Sequence, residues 1–547
     1  MKKTHRIFLG VGVMLGLAML TGCIEETFPL SDMATEEQVQ ESPSSTEAMA
    51  LGMPAKAISI WDDASSHSFF GYPAQMIIRD MMTGDYCQSG AGIGYGWHFY
   101  YWAQNKQMGD GYRRAQFIWN FHWGFMLSVN NVIGAVNPEN ATDEQQGYLG
   151  AALAFRSLLY LDMARMYEFL PNDIFTKNDE GFDVTGLTVP WVDETTTSKQ
   201  ASNNPRLPRA DMAAKILADL DKAEQYIGKL SSTQGQTLPD LACVYGLKAR
   251  LYMWIEDYPN AQLYARKAID ETKSVPLTEA KALDTKAGYN TATDFMWALQ
   301  PTSESECVQT GIVNWTSWAS NQSTFGYTGP ATDLYICIDK SMYERISDTD
   351  WRKKEWVAPA GSALDGQVAF TESAEMNFAD FIPAYASVKF RPGSGNADDY
   401  NTGCCAATPI MRVEEMYFIE AEAAAHQSAA QGVTLVTNFM KQYRDPSYAC
   451  TVSATDAVVE EIVFQKRVEL WGEGQTFFDI KRLNMSVTRG YNGTNWQDTQ
   501  SILNTNGRPA WMNYVMVRTE QNNNEALVNH NNPDPSDKYT PWTPSAE

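Results

Sequence analysis

The sequence has 547 residues, of which 44% are hydrophobic and 20% charged, a balance typical of a globular protein large enough for several domains or one helical assembly. Its formal net charge of -24 at pH 7 repels nucleic-acid phosphates and anionic lipid headgroups, so we expect no nucleic-acid partner. The acidic residues are spread along the chain, which indicates a solubilising surface and not an acidic binding patch.

The start of the chain predicts export and lipid attachment. A basic N-terminus is followed by an apolar run from Ile7 to Leu20, which is too short to cross a bilayer as a helix. The next residues, LTGC, end at Cys23 and resemble the lipobox of bacterial lipoproteins, in which the cysteine becomes the lipidated first residue. An ordinary secretory leader with a chance cysteine is the alternative. We predict a lipoprotein signal peptide at residues 1–22 and a flexible, lipid-anchored tether at residues 23–45.

The rest of the chain, residues 46–547, is predicted to be a single, mainly α domain. Apolar residues recur at helical spacing from about 112 to 136 and from about 144 to 169, which predicts a helical hairpin. Further helical patterns extend the scaffold to about 112–272 and 409–483. In the central block, small and aromatic residues are spaced as in a tetratricopeptide repeat; these are Ala249, Tyr252, Ala261 and Ala268.

Three loop-rich regions accompany the helices, and they contain most of the remaining aromatic residues. They cover about residues 61–111, 291–408 and 486–547, where Gly, Asn, Ser, Thr and Pro interrupt any long periodicity. Seven cysteines follow Cys23 without C-x-x-C spacing, so we interpret most of them as small buried apolar residues, with one or two disulfides as an open alternative.

Four segments, taken in order, resemble the SusD/RagB family of outer-membrane nutrient-binding lipoproteins of Bacteroidetes. They are FIWNFHWGFMLSVNNVIGAV with GYLGAALAFRSLLYLDMARMYEFLP and GLTVPWVDETT; PRADMAAKILADLDKAEQYI with CVYGLKARLYMWIEDYPNAQLYARKAID; TPIMRVEEMYFIEAEAAA; and EEIVFQKRVELWGEGQTFFDIKRLN. The resemblance implies a SusD-like fold, in which tetratricopeptide-like helix pairs form the scaffold and a loop-rich portion binds the ligand. Glu414, Lys466 and Thr476 depart from the family pattern.

The last two segments carry charged residues that resemble paired catalytic carboxylates. They are Arg412, Glu415, Glu420, Glu422, Arg467, Glu469, Glu473 and Asp479. Their three- and four-residue spacings suit ion pairs within and between helices, so we interpret them as structural. We predict no catalytic residues, no metal site and no cofactor, because the sequence has no G-x-S-x-G, H-E-x-x-H or G-x-G-x-x-G pattern. A glycosidase, which needs only two distant carboxylates, remains an alternative.

Aromatic residues in polar loops mark the predicted ligand surface. A pyranose ring has an apolar face that stacks on an aromatic ring and hydroxyls that need polar partners. Two such clusters occur where the family has its glycan site. The candidate contact residues are Trp97, His98, Tyr100, Trp102, Asn105, Trp315, Trp318 and Tyr327.

The resemblance also implies a function and a location. We expect a lipoprotein, anchored through Cys23 at the extracellular face of the outer membrane, that binds oligosaccharides. It would deliver them to a SusC-like TonB-dependent transporter and act as the lid of that barrel. Peptide capture by a member of the same family is a second alternative.

Overall fold

In the computed structural model of the chain, residues 43–61, 67–90 and 101–543 are described. Helices dominate these residues, which confirms the predicted mainly α fold. The labelled helices are α1 (Pro43–Ala57), α2 (Gly71–Met81), α3 (Arg113–Ala135), α4 (Asp143–Tyr167), α5 (Arg209–Tyr226), α6 (Leu241–Trp254), α7 (Tyr258–Glu271), α8 (Trp315–Ala319), α9 (Lys340–Arg345), α10 (Val413–Gln427), α11 (Ala429–Tyr443), α12 (Thr455–Glu469), α13 (Thr476–Arg482) and α14 (Arg518–Asn523).

Six short strands form three two-stranded antiparallel sheets in the described part of the chain. They are β1 (Tyr86–Ser89) with β3 (Tyr335–Ile338), β2 (Trp297–Leu299) with β4 (Thr408–Met411), and β5 (Leu503–Asn504) with β6 (Thr540–Pro541). Each sheet joins segments that are far apart in sequence. The strands therefore fasten the loop-rich regions to one another and to the helical scaffold.

The predicted helical hairpin is formed by α3 and α4, and α4 lies at the centre of the fold. Its first turn has a capping box, in which Thr142 and Gln145 satisfy each other's backbone N–H groups. Nearly all of its residues are buried, so it packs on every side. A Cβ atom on Gly147 would lie 2.6 Å from the backbone nitrogen of Leu230, which shows how closely the chain after α5 approaches this helix.

The helices pack in succession from one end of the scaffold to the other. Helix α1 packs on α3, α3 on α4, α4 on α5 and α6, α6 on α7, and α7 on α10, which also contacts α11 and α12. Helix α1 begins at Pro43, inside the predicted tether, and its buried Thr46 accepts a hydrogen bond from Gln145 of α4. The tetratricopeptide-like character of the helix pairs stays a prediction, as does the division into domains. The predicted signal peptide and Cys23 lie outside the described residues.

A buried cluster of charges joins the helical scaffold to the loop-rich portion. Glu469, at the end of α12, is fully buried and accepts hydrogen bonds from Arg412 at 2.6 Å, Arg444 at 2.7 Å and Arg352 at 3.2 Å. Burial alone would raise the pKa of Glu469, but Arg444, Arg412 and Arg352 outweigh it and hold this pKa well below its usual range. Lys389, from the loop-rich portion, donates to the Glu469 carbonyl oxygen at 2.9 Å.

The other charged residues predicted to be structural also form ion pairs, which confirms that interpretation. Their partners are Arg250 for Glu415, Arg266 for Glu420, Arg482 for Glu422, Asp85 for Arg467, Lys389 and Arg412 for Glu473, and Lys466 and Arg482 for Asp479. Two departures from the family pattern are paired as well. Lys466 lies 2.9 Å from Asp479, and Glu414 contacts Arg412 at 2.8 Å.

The cysteines of the folded body form no disulfide among the described residues. Among the described residues, all seven cysteines are free, and five of them are buried, as predicted for most of them. No helix within residues 43–61, 67–90 and 101–543 is both long and apolar enough to span a membrane.

We predict that Glu469→Gln lowers the free energy of unfolding by about 3–5 kcal/mol, because it leaves buried arginines without their counter-charge. A carboxylate with a depressed pKa stabilises the fold above its unfolded pKa of about 4.3, and this contribution disappears as the pH falls through the folded pKa. The difference between wild type and variant should therefore shrink in acid. Urea unfolding at a series of pH values measures both effects.

The matched control is Glu460→Gln, because Glu460 is an exposed residue of the same helix. We expect that variant to change the free energy of unfolding by no more than about 0.5 kcal/mol. Equal losses in the two variants would contradict the role assigned to Glu469.

Candidate functional site

The predicted ligand-contact residues divide into two groups. Trp97, His98 and Tyr100 lie outside the described residues. The other five are buried, with exposed fractions of 3% for Trp102, 1% for Asn105, 4% for Trp315, 0% for Trp318 and 5% for Tyr327. The burial of these five side chains is a finding of the structure, and ligand contact by them stays a prediction.

Trp318 and Tyr327 are brought together in one aromatic stack with His67. The rings of Trp318 and Tyr327 lie 4.6 Å apart, and those of Tyr327 and His67 lie 5.1 Å apart, both in stacked geometry. The Trp318 indole donates to the His67 carbonyl oxygen at 3.0 Å, and the Tyr327 hydroxyl contacts His67 Nδ1. His67 is half-buried, and burial lowers the pKa of its imidazole below the ordinary value. The outer member of the stack is therefore neutral at pH 7.

The polar residues around α8 explain why its tryptophans are buried. Asn314 caps this helix by accepting from the Ser317 N–H at 3.0 Å. Asn321 donates to the carbonyl oxygens of Ile336 at 2.8 Å and Ser387 at 2.9 Å. These side chains bind backbone groups within the loop-rich portion, and so they fold the segment inward. Trp315 packs edge-on against Phe390, 5.1 Å away between ring centroids.

Trp102 and Asn105 lie in a different environment from the stack. Trp102 stacks on Tyr514 with 6.1 Å between the ring centroids. Asn105 donates to the carbonyl oxygens of Pro535 at 2.8 Å and Lys538 at 3.3 Å. Asn105 has a φ of 52°, a left-handed conformation that asparagine tolerates better than most residues. The structure therefore uses Asn105 to hold the C-terminal segment.

Strand β1 links the surroundings of Trp102 to the segment that follows Tyr327. Ser89 pairs with Tyr335 across the β1–β3 sheet, and a Cβ atom on Gly90 would lie 2.1 Å from the Asp333 carbonyl oxygen. Near this strand, Gln500 donates to Gln88 at 3.3 Å. The side-chain amide nitrogen of Gln88 and the indole nitrogen of Trp102 are buried without a hydrogen-bond partner among the described residues.

Tyr101 and Arg114 add a second, half-buried aromatic position. The Arg114 guanidinium carbon lies 4.3 Å from the centroid of the Tyr101 ring, and its Nη1 donates to Gln107 at 2.9 Å. Burial lowers the pKa of Arg114 to about 10, so this side chain is still charged at pH 7. The sequence carries no signal for His67 or Arg114, because each is a single residue outside any pattern.

Among the described carboxyl groups with a raised pKa, Asp80 and Glu355 reach about 7, a value suited to general acid catalysis. Burial is the main cause of the rise to about 7 for both Asp80 and Glu355. Each has an ordinary structural role: Asp80 accepts from the Gly474 N–H at 3.0 Å, and Glu355 accepts from the Tyr289 hydroxyl at 2.8 Å. Both are at most 2% exposed. Their burial separates them from any substrate that stays on the surface of the described chain.

Comparison with known proteins agrees with this architecture. The model of the SusD family matches residues 339–541. Similar solved structures include a SusD-like carbohydrate binding protein from Bacteroides vulgatus, with a TM-score of 0.67, 19% identity and coverage of 90% of this chain and 98% of the other. A SusD superfamily protein from Bacteroides thetaiotaomicron has a TM-score of 0.63 and 16% identity, with coverage of 88% and 98%.

A third similar structure is surface glycan-binding protein A from Bacteroides thetaiotaomicron in complex with laminarihexaose. Its TM-score is 0.59 at 14% identity, with coverage of 90% of this chain and 99% of the other. A search of curated protein sequences finds no match. The helical scaffold with its loop-rich portion is thus the fold of the SusD-like proteins. The family pattern itself is matched in residues 339–541.

We predict that Asn105→Ala destabilises the C-terminal segment locally, by about 1–3 kcal/mol, because two backbone carbonyls lose their donor. Hydrogen exchange in residues 533–541 should accelerate, while oligosaccharide affinity should stay unchanged. Asn203→Ala, at an exposed asparagine, is the control and should leave the exchange rates unaltered. Lost affinity with unchanged exchange would instead return Asn105 to the ligand site.

Proposed function

We propose that this protein binds oligosaccharides at the cell surface and delivers them to a SusC-like TonB-dependent transporter, for which it acts as a lid. The observation that carries the proposal is the SusD family pattern in residues 339–541, within a fold shared along about nine-tenths of the chain. The laminarihexaose complex of one structural neighbour supports an oligosaccharide ligand. The predicted lipoprotein leader supports the surface location.

The aromatic stack supports a ligand position on the loop-rich portion. His67 is its half-buried outer ring, and Tyr327 and Trp318 fix that ring from behind. A sugar would contact the imidazole by its apolar face, and its hydroxyls would bind polar groups nearby. The net charge of -24 favours a neutral oligosaccharide over a polyanionic one. The protein's role in this proposal is to bind, and catalysis takes no part in it.

We predict that His67→Ala weakens oligosaccharide binding by about tenfold, or about 1.4 kcal/mol, because the outer ring of the stack is lost. Calorimetry with neutral hexaoses of glucose and mannose, run beside a reducing-sugar assay, measures binding and tests for hydrolysis. Because His67 is neutral at pH 7, affinity should not change between pH 7 and pH 8.

His530→Ala is the matched control, because His530 is also half-buried and packs against an aromatic ring, that of Phe182 at 5.5 Å. That variant should retain wild-type affinity. Equal affinities of wild type and His67→Ala would contradict the proposed position, and release of reducing ends by the purified protein would contradict a purely binding function.

We predict that Cys23→Ala abolishes retention at the cell surface and leaves the oligosaccharide affinity of the purified body unchanged, because the lipid anchor and the ligand site are separate. Cell fractionation with surface protease treatment measures retention, and calorimetry measures affinity. Cys450→Ala, at a partly exposed cysteine within the folded body, is the control and should remain at the surface. A retained Cys23→Ala variant would refute the anchor.

A further inference from the structure

A groove on the helical scaffold lies on different elements from the aromatic stack. It has a volume of about 600 Å³, within the range of small-molecule sites, and is formed by α1, α3 and the loop of residues 192–196. Its lining includes Met49, Trp123, Leu127, Asn131, Glu194 and Thr196.

The floor of the groove is apolar and includes an accessible aromatic residue. Trp123 is half-buried, and Leu127, one helical turn away, is 63% exposed. The Trp123 ring is held from behind by Trp119 at 5.5 Å and Tyr160 at 6.1 Å between ring centroids. An indole fixed in this way provides a rigid stacking surface that loses little conformational entropy on binding.

The loop that forms the opposite wall is also fixed. The Tyr160 hydroxyl donates to the Val192 carbonyl oxygen at 2.6 Å and accepts from the Val192 N–H at 2.7 Å. Asp193 accepts from the Trp191 indole at 2.9 Å and from the Thr196 hydroxyl at 3.0 Å. The wall is therefore in place before any ligand arrives.

The charges at the groove decide which ligand fits. Glu194 is paired with Arg156, which also binds Asp219 through two hydrogen bonds of 2.7 and 2.8 Å. The Asp193 carboxylate is occupied by its loop contacts, which outweigh the effect of burial and lower its pKa to about 2. The donors to Asp193 are neutral and Arg156 is shared by Glu194 and Asp219, so the groove keeps negative charge and disfavours an anionic ligand. The remaining chemistry is an indole face beside amide, hydroxyl and carboxylate oxygens, which suits a neutral ligand rich in hydroxyls.

We propose that this groove is a second oligosaccharide-binding site, in which Trp123 stacks on a sugar ring and Asn131 binds its hydroxyls. The inference rests on the proposed function only for the class of ligand, because none of the groove residues belongs to the aromatic stack. Two separate sites would allow one long oligosaccharide to bind at both, or two oligosaccharides to bind at the same time.

Hydroxyl-radical footprinting of the full-length protein with saturating neutral glucohexaoses (β-1,3-, β-1,4- and α-1,4-linked) and mannohexaose tests the site directly. At least one hexaose should reduce oxidation of Met49, Trp123 and Leu127 at least threefold. Asn131→Arg, a substitution at an exposed rim position, should remove this protection, whereas Asn203→Arg, at an exposed position outside the groove, should keep it.

The outcomes separate this inference from the proposed function. Protection confined to peptides that contain His67 or Tyr327 would overturn the second site and leave the proposed function intact. Protection of the groove that persists in Asn131→Arg would overturn the assignment of Asn131 as a ligand contact. No protection by any of the hexaoses would overturn the second site, and calorimetry on the same samples would then decide whether the proposed function fails with it.

Discussion

The burial of Glu469 is the constraint on which the rest of the structure depends. A single carboxylate at the end of α12 receives Arg412 from the start of α10, Arg444 from the end of α11 and Arg352 from the loop-rich portion. An unpaired buried charge is so costly that each of these segments must be in place for the cluster to form. The cluster therefore fixes how the helical scaffold and the loop-rich portion meet. The ion pairs within the cluster offset the desolvation cost of burying its charges. Their main consequence is a specific arrangement of the helical scaffold against the loop-rich portion.

This junction also explains the burial of the predicted ligand residues. Because Lys389 and Arg352 anchor the loop-rich portion to α12, the segment that carries Trp315, Trp318 and Tyr327 packs inward. Its Asn314, Ser317, Ser320 and Asn321 side chains bind backbone groups. A loop segment rich in aromatic and polar residues is thus part of the main hydrophobic core, and His67 lies half-buried beside it.

Much of the fold could be predicted from the sequence, but the details of the ligand surface could not. Helical periodicity identifies α3 and α4, and three- and four-residue spacing identifies Glu469 and its neighbours as ion-pair residues. Periodicity is informative there because a helix repeats its environment every turn. A loop has no such repeat, so nothing in the sequence separates a buried Trp318 from an exposed one. Trp123 lies within the helical periodicity of α3, and that periodicity does not separate a core position from one that borders a groove.

The aromatic stack and the groove at Trp123 differ in how much buried aromatic surface would have to be exposed for a ligand to bind. Exposing one buried aromatic side chain removes about 150–250 Å² from the core, which at about 25 cal/mol per Å² costs about 4–6 kcal/mol. A single stacked sugar does not offset that cost, so in the proposed site Trp318 and Tyr327 serve to support His67. Trp123 carries no such penalty, because its ring already borders an open groove with a fixed wall. Rigid scaffold elements, and not only loops, can therefore supply binding surface in this fold.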